Sequence, residues 1–566
     1  MSNDRPLQTS PYAEPLADSP NNVGSARPRL RWKLGLAVLL TGIAATVLLA
    51  RLAPDDTSRM IRIFKATGTT IGAMLVWWLG FSGLTWKIRR NLAAVGTVAI
   101  GLLLVGTIRR VTFDGDMKPR LQFRWSPPAA NTVAQEWLAK NAPPVAANAA
   151  GQPAAAQPGS DSSSASDASA VPASEPLEIT DADWPTYCGK DGNREILEPR
   201  CSFDWVANPP KELWRHPVGD AWSSFTVVGS LLFTQEQRAN LECVVCYDAL
   251  SGKELWRRED EARYESAQGA IGPRATPTIT STAVFALGAT GILNALDPRT
   301  GKQLWQRNVC TDAGSNVLEW GMSGSPFIHG KTVIIDAGGD KGKAVIAYDR
   351  ATGEIVWASA SHKAGYTTPR LETIGGVLQL LVFHGDGLNG MNPQTGEVLW
   401  QYPWTNQYKI NVAQPMSFGD QIFISSGYDS GCVLLDPTVL NGMTPSEVWP
   451  KNKNMKLKFN EAVKLGNFIY GLDDGILACL DVQTGERKWK SGRYRYGQIL
   501  LWGDKLVVQS EPGYVAIVEA TPDKFTEVAR LEALNDRTWN MPIVNRNRLY
   551  VRNASEAACY ELPAAP

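Results

Sequence analysis

The apolar positions of this chain follow two different rules, and the change between them falls near residue 181. Before it, apolar residues run in unbroken blocks: Leu34–Ala50 between Lys33 and Arg51, Ala66–Trp86 between Lys65 and Lys87, and Asn91–Ile108 between Arg90 and Arg109. Each block is uncharged and about long enough to cross a bilayer as a helix, and Trp86 stands where an interfacial aromatic would. Three transmembrane helices are therefore expected, at 34–50, 66–86 and 91–108. A buried soluble helical hairpin is the other reading, and three spans with basic flanks argue against it. After residue 181, apolar residues come in short alternating runs closed by Gly and Asp turn signals, the pattern of strands.

The strand region repeats one pattern. It appears as Tyr247-Asp248-Ala249-Leu250-Ser251-Gly252-Lys253-Glu254-Leu255-Trp256 and returns with Asp297, Gly301 and Trp305, with Asp349, Gly353 and Trp357, and with Asp481, Gly485 and Trp489. Gly396 and Trp400 carry it with Asn392 in place of the acid. The Asp can bond its own backbone two residues on, the Gly takes the positive φ of the turn, and the Trp is a plate that seals adjacent sheets. These residues read as architecture and not chemistry. Strand-closing positions fall at Trp214, Trp256, Trp305, Trp357, Trp400, Trp449, Trp489 and, degenerately, Arg530, with spacings of 42, 49, 52, 43, 49, 40 and 41. Such periods mark a propeller or solenoid. The last strands, Arg548–Arg552 and Ala557–Leu562, have no fourth strand after them, and Leu213-Trp214-Arg215 has no blade before it. Together they make one blade, so the expected fold is all-β: an eight-bladed propeller of four-stranded blades over 181–566, closed by pairing the two ends of the domain.

The Asp-x-x-Thr-Gly-x-x-x-Trp repeat, with the opening Asp183-Trp184-Pro185, resembles the pyrroloquinoline-quinone (PQQ) repeat family over roughly residues 183–562. That family includes quinoprotein alcohol dehydrogenases and BamB-like assembly subunits. The resemblance implies an eight-bladed fold and an extracytoplasmic propeller. It leaves activity open, because many family propellers bind no quinone. The alcohol dehydrogenases carry adjacent cysteines beside PQQ, and hold Ca²⁺ with Glu, Asn and Asp side chains. Here no Cys-Cys pair occurs, no such ligand can be matched residue by residue, and a propeller of about 380 residues lacks room for the usual insertions. The glucose dehydrogenase branch lacks the adjacent cysteines too, and also sets a periplasmic propeller behind N-terminal helices.

The rest of the chain connects these two regions. Residues 1–33 are polar and read as disordered, with no secretory cleavage pattern. Residues 109–126 form a juxtamembrane segment with Asp114-Gly115-Asp116, an Asp-x-Asp spacing without the rest of a Ca²⁺ loop. Residues 127–180 are an Ala, Pro and Ser linker, with one short helix expected near Asn131–Lys140. Basic residues divide almost evenly between the two sides of three spans, so charge does not orient the chain; the family resemblance does, placing the propeller in the periplasm and the anchor in a bacterial inner membrane. Net charge is zero, with 56 basic and 56 acidic residues, and nothing points to nucleic acid.

Candidate chemistry is sparse. Cys243 and Cys246 are three apart in a strand and face opposite sides, which disfavours a shared metal. Cys188 and Cys201 flank a loop outside the strands, where a disulfide and two free thiols are both open readings. The four histidines, His216, His329, His362 and His384, show no ligand spacing. No metal site and no catalytic residue can be assigned. The longer blade-connecting loops gather Arg274, Trp320, Tyr366, Lys409, Arg493, Tyr496, Trp539 and Asn540 on one face. Arg and aromatics together suit recognition of a protein or small anion, although several could instead plug the channel. The expected function is a membrane-anchored, protein-binding envelope scaffold that needs no cofactor. The alternatives are a PQQ- and calcium-dependent dehydrogenase, and a propeller holding a small ligand in its channel.

Overall fold

The computed structural model describes residues 31–53, 56–125, 138, 175–196, 201–266 and 269–565. The expected N-terminal tail and Ala/Pro/Ser linker fall almost wholly outside the described residues, as does the helix expected at 131–140 apart from Leu138. The chain divides into two compact units, residues 1–51 with 62–105, and residues 52–61 with 106–566.

The N-terminal helices are α1 (Trp32–Arg51), α2 (Asp56–Val76) and α3 (Trp86–Thr107), with a π-helical turn at Trp77–Phe81. Among the described residues, two of them, α1 and α3, are long and apolar enough to cross a membrane. This corrects the expectation of three spans. The second apolar block is not one helix: α2 begins in a charged turn with Arg59, Arg62 and Lys65, gives way to the π turn after Val76, and leaves Trp86 to open α3. α1 meets the second segment through glycines: a Cβ on Gly35 would lie 2.5 Å from the Trp77 ring, and one on Gly42 would lie 2.3 Å from Thr70. Small residues permit such close helix contact.

The second unit is an all-β, propeller-like stack of sheets. Among the described residues there are seven four-stranded sheets and one five-stranded sheet. In the first complete one, Thr226–Val228, Leu231–Arg238, Leu241–Asp248 and Glu254–Asp260 follow one another in sequence order. The five-stranded sheet adds Glu195–Ile196, parallel to Gln498–Trp502. In the last sheet, Ile543–Asn545, Arg548–Arg552 and Glu556–Glu561 are joined by Lys211–Pro217, with Trp214 opposite Cys559. The ends of the unit therefore close one sheet, as the repeat count requires. Middle strands such as Val284–Leu287 are buried on both faces, whereas the outer Gln303–Asn308 buries Trp305 alone. A strand sandwiched between neighbouring sheets has no wet face, which is why the middle strands read as unbroken apolar runs.

The turn chemistry explains the repeat. Asp297 Oδ1 accepts from the Arg299 and Thr300 amides at 3.0 and 2.9 Å, and Asp349 Oδ1 does the same for Ala351 and Thr352 at 2.9 Å each. The closing Trp then reaches the turn of the next sheet: Trp256 Nε1 donates to Pro298 O at 3.1 Å, Trp305 Nε1 to Arg350 O at 3.0 Å and Trp449 Nε1 to Val482 O at 2.9 Å. Gly301 is forced twice, by φ 70° and by the Trp256 ring, which would lie 2.4 Å from its Cβ. Trp400 departs from the pattern and donates to Gln379 within its own sheet, at 2.6 Å. The next sheet has no standard turn to receive it, because Gly431–Asn441 and Thr444–Asn452 form an expanded hairpin with three register shifts. Cys243 and Cys246 fall in different core clusters, one with Val245 and Tyr247 and the other with Trp256, as opposite faces demand.

Candidate functional site

Past the outer strands, the chain places a large side chain seven to nine residues beyond the closing Trp: Trp222 after Trp214, Tyr366 after Trp357, Tyr408 after Trp400, Lys458 after Trp449 and Tyr496 after Trp489. The fold brings these connectors together. Trp222, Tyr366, Tyr408 and Lys458 line one cavity of about 340 Å³, with Arg274, Trp320, Tyr428, Phe459, Glu461 and Trp539. The rings support one another: Trp539 lies 4.6 Å from Trp222 and 4.8 Å from Phe459, and Trp320 lies 5.8 Å from Tyr366. A chamber walled by aromatics with a few charged groups has the make-up of a binding site.

Two cations lie in it. Arg274 stacks on Tyr264 at 4.4 Å and donates to the carbonyls of Gly272, Gly269 and Ala270, at 2.6 Å for Gly269. Burial lowers its guanidinium to about 10. Lys458 is almost fully buried, with Nζ 4.4 Å from the Tyr496 ring centre and 5.3 Å from that of Tyr428. Cation–π attraction offsets part of its desolvation. Two of the lining carboxylates are already engaged. Glu461 accepts from Arg194 at 3.2 Å and from the Gln414 amide at 3.0 Å, and Asp114 pairs with Arg495 at 3.4 Å. Among the described residues, no group of three or more His, Cys, Asp or Glu side chains could hold a metal ion.

Part of the cavity wall comes from far away in sequence. Ile108–Phe113 and Pro119–Phe123 form a two-stranded hairpin, and its tip residues Asp114, Gly115 and Met117 line the cavity. Asp114 folds the tip by accepting from the Asp116 and Lys118 amides at 3.0 and 2.8 Å. The propeller holds it: Lys458 Nζ donates to Gly115 O at 2.7 Å, and Tyr496 OH donates to Asp116 Oδ1 at 2.7 Å. The Asp116 carboxyl sits below its usual range: burial alone would raise it, but the Tyr496 and Lys118 hydrogen bonds and the Lys118 and Lys458 charges outweigh that.

Of the sequence candidates, Arg274, Trp320, Tyr366 and Trp539 share the cavity, and Tyr496 grips the hairpin beside it. Three do not. Lys409 is half exposed and pairs with Asp386 at 2.6 Å. Arg493 ends the outer strand Arg487–Arg493 and is exposed. Asn540 is buried and donates to Ser223 O at 2.8 Å, a tie between the last and first sheets. Trp222, Lys458 and Phe459 were missed, although the spacing after Trp214 and Trp449 marks the first two. Of the two open readings for Cys188 and Cys201, the structure has the free thiols and not the bridge. Both thiols are free; Cys188 donates to Gln414 at 3.1 Å and accepts from Arg194 at 3.2 Å, and Cys201 bridges to Ala564 on another segment.

The histidines give a pH-dependent term. His362 and His384 stack at 3.8 Å, His362 Nε2 faces Asp336 at 3.0 Å, and the Asp386 amide donates to His384 Nδ1. Burial first, and the neighbouring His362 second, lower His384 to about 4 from 6.5. The unfolded chain therefore binds the extra proton between those values. The stability from neutral His384 is complete above pH 6.5 and is lost as pH falls towards 4, by about 3 kcal/mol. Urea midpoints of wild type and His384→Gln should diverge above pH 6.5 and converge near pH 4; parallel pH profiles would refute the assignment.

Comparison with known proteins agrees with this geometry. The PQQ_2 family model, described as outer membrane protein assembly factor BamB, matches residues 204–321 and 313–491, together just over half the chain. The outer membrane protein assembly factor BamB of Burkholderia pseudomallei is 24% identical over 371 residues, covering 63% of this chain and 89% of that protein. The quinohemoprotein alcohol dehydrogenase ADH IIB of Pseudomonas putida is 31% identical over 119 residues, 20% of this chain and 17% of that protein. The crystal structure of quinohemoprotein alcohol dehydrogenase from Comamonas testosteroni aligns with TM-score 0.52 at 12% identity, covering 68% of this chain and 81% of that one, a likeness of fold. The repeat, the closed sheet order and the family match agree: this chain belongs to the PQQ_2 family, described as outer membrane protein assembly factor BamB.

Proposed function

We propose that this chain is a scaffold of the bacterial cell envelope: an eight-bladed propeller, anchored in the inner membrane by its N-terminal helices and facing the periplasm, whose loop face binds a protein partner and carries out no redox chemistry. The observation that supports this reading is coverage. The match runs through 89% of a BamB relative, whereas the quinohemoprotein dehydrogenase match takes in 17% of that enzyme. The cavity adds Trp320, Trp539, Tyr366 and Arg274, residue types that carry interface energy when they are clustered.

The test is cross-linking and recovery of the full chain from its native envelope. One protein partner should be recovered with wild type and lost with Trp320→Ala and Trp539→Ala, while the melting temperature changes little. Retention of the partner by both variants would remove the loop face from the proposal. Dye-linked oxidation of an alcohol or sugar after addition of PQQ and calcium would replace it with the dehydrogenase reading, which the local 31% identity favours.

A further inference from the structure

The propeller does not present an empty loop face; it holds the tip of its own hairpin. Three features show how closely the seat fits. A Cβ on Gly115 would lie 2.1 Å from the Tyr496 ring, so only glycine fits there. Asp114 and Asp116 are buried at 6% and 4% exposure, although both are carboxylates. Both directions of the main chain are read as well: Lys458 donates to Gly115 O at 2.7 Å, and Glu511 Oε1 accepts from Gly115 N at 3.4 Å. Glu511 also accepts from the Tyr496 amide at 3.2 Å, which fixes the ring that meets the glycine. The site thus recognises a shape, a tight turn with glycine between two carboxylates, and not merely negative charge.

The hold on the rest of the hairpin is weak by comparison. Its two strands pair only with each other and join no blade, and beyond the tip Arg537 donates to the Phe113 carbonyl at the end of the first strand. Val111 and Leu121 point into solvent. Arg120 to Asp536, at 2.8 Å, is a pair in which both side chains are largely exposed, and such pairs contribute little. An isolated two-stranded ribbon is marginal on its own. The hairpin is therefore fastened chiefly at its tip end, so loss of the tip contacts frees the ribbon as a unit.

We infer that the Lys458–Tyr496–Glu511 seat is a docking site for a tight acidic turn of the form carboxylate-Gly-carboxylate, that the Asp114-Gly115-Asp116 turn is its intramolecular occupant, and that a protein partner presenting such a turn displaces it. The inference rests on the partner-binding reading above and specifies what that partner displays. Release of the tip also removes Asp114, Gly115 and Met117 from the cavity wall, so the aromatic chamber widens when the seat is vacated.

The probe is a labelled cyclic peptide copying residues 112–119, titrated against the full chain in lipid nanodiscs. Gly115→Val and, independently, Asp116→Lys unseat the resident tip without touching a blade, and melting curves check that the propeller stays folded. Both variants should bind the peptide at least ten-fold more tightly than wild type. Adding Lys458→Glu to either should abolish binding, and a peptide with both aspartates changed to asparagine should bind at least ten-fold more weakly. Equal peptide affinity for wild type and both unseated variants would overturn the inference. Failure of the peptide to bind any form, while the envelope partner is still recovered through Trp320 and Trp539, would overturn the turn site and leave the scaffold reading standing. Conversely, peptide binding without a recoverable partner would support the seat and count against the scaffold.

Discussion

Removing residues 543–566 is expected to abolish cooperative unfolding of the propeller outright. The cut takes away Ile543–Asn545, Arg548–Arg552 and Glu556–Glu561 and leaves Lys211–Pro217 without a sheet to join. Two sheet faces lose their cover, and Trp214 loses Cys559 beside it and Tyr550 at 6.2 Å. Ile543, Val544, Leu549, Tyr550, Val551, Tyr560 and Leu562 are all buried. At about 1.5–3 kcal/mol per large apolar side chain, their loss alone amounts to about 10 kcal/mol or more. A whole domain is typically stable by about 5–15 kcal/mol. The truncated chain should melt without a transition in circular dichroism and expose strand edges that aggregate. A cooperative melt at the parent temperature would mean that closure is made elsewhere.

The second large effect is expected at the same seam, from a single side chain. Glu236 is fully buried and accepts from Arg238 at 2.9 Å, from the Gly219 amide at 2.9 Å and from the Tyr247 hydroxyl. Arg552, from the last sheet, lies beside it and donates to Thr234 Oγ1 at 2.6 Å and to Gly219 O at 3.0 Å. Burial alone would raise the Glu236 carboxyl, but the Arg238 and Arg552 charges and the Tyr247 and Gly219 hydrogen bonds outweigh it and hold it below the usual range. Glu236→Ala leaves the buried Arg238 with Glu254 as its one remaining carboxylate partner, facing Arg552, and the Gly219 amide and Tyr247 hydroxyl without their acceptor. Removing one partner of a buried ion pair costs about 3–5 kcal/mol. Urea unfolding should report a loss of that size, and Glu236→Leu with Arg238→Met should recover part of it. A loss below about 1 kcal/mol would show that water reaches the network.

Glu236 itself was not legible as important: it reads as one of a run of polar residues, Thr234 to Arg238, and its weight comes from its burial among Arg238, Tyr247 and Gly219, with the charge of Arg552 brought beside it from more than 300 residues away. The hairpin is a harder case. Asp114-Gly115-Asp116 could be read as a turn, but nothing in its pattern names Lys458 or Glu511, the latter 396 residues distant. The loop candidates fared better where the repeat set their register. Tyr366 and Trp539 reach the cavity, whereas Arg493 misses it because its strand continues to that residue and carries it to the surface.

By itself the sequence determined the four-stranded sheets, their order and the pairing of the two ends of the unit in one sheet, because each turn is local: Asp bonds amides two and three residues on, and Gly and Trp recur at the spacing of one sheet. Hydrophobic period and turn residues are short-range signals, and a repeat states them many times. It did not determine how the second apolar block would break, because hydropathy counts residues and does not register the π turn at Trp77–Phe81. Nor did it determine whether Cys188 would pair with Cys201 or bond Gln414, or which loop side chains would converge. Those outcomes depend on distances between segments far apart in the chain. The tertiary structure also decided what sits in the site. Recognition of a buried acidic turn needs a ring, an ammonium and a carboxylate converging on one glycine, and that convergence exists only once neighbouring sheets set Tyr496, Lys458 and Glu511 around Gly115.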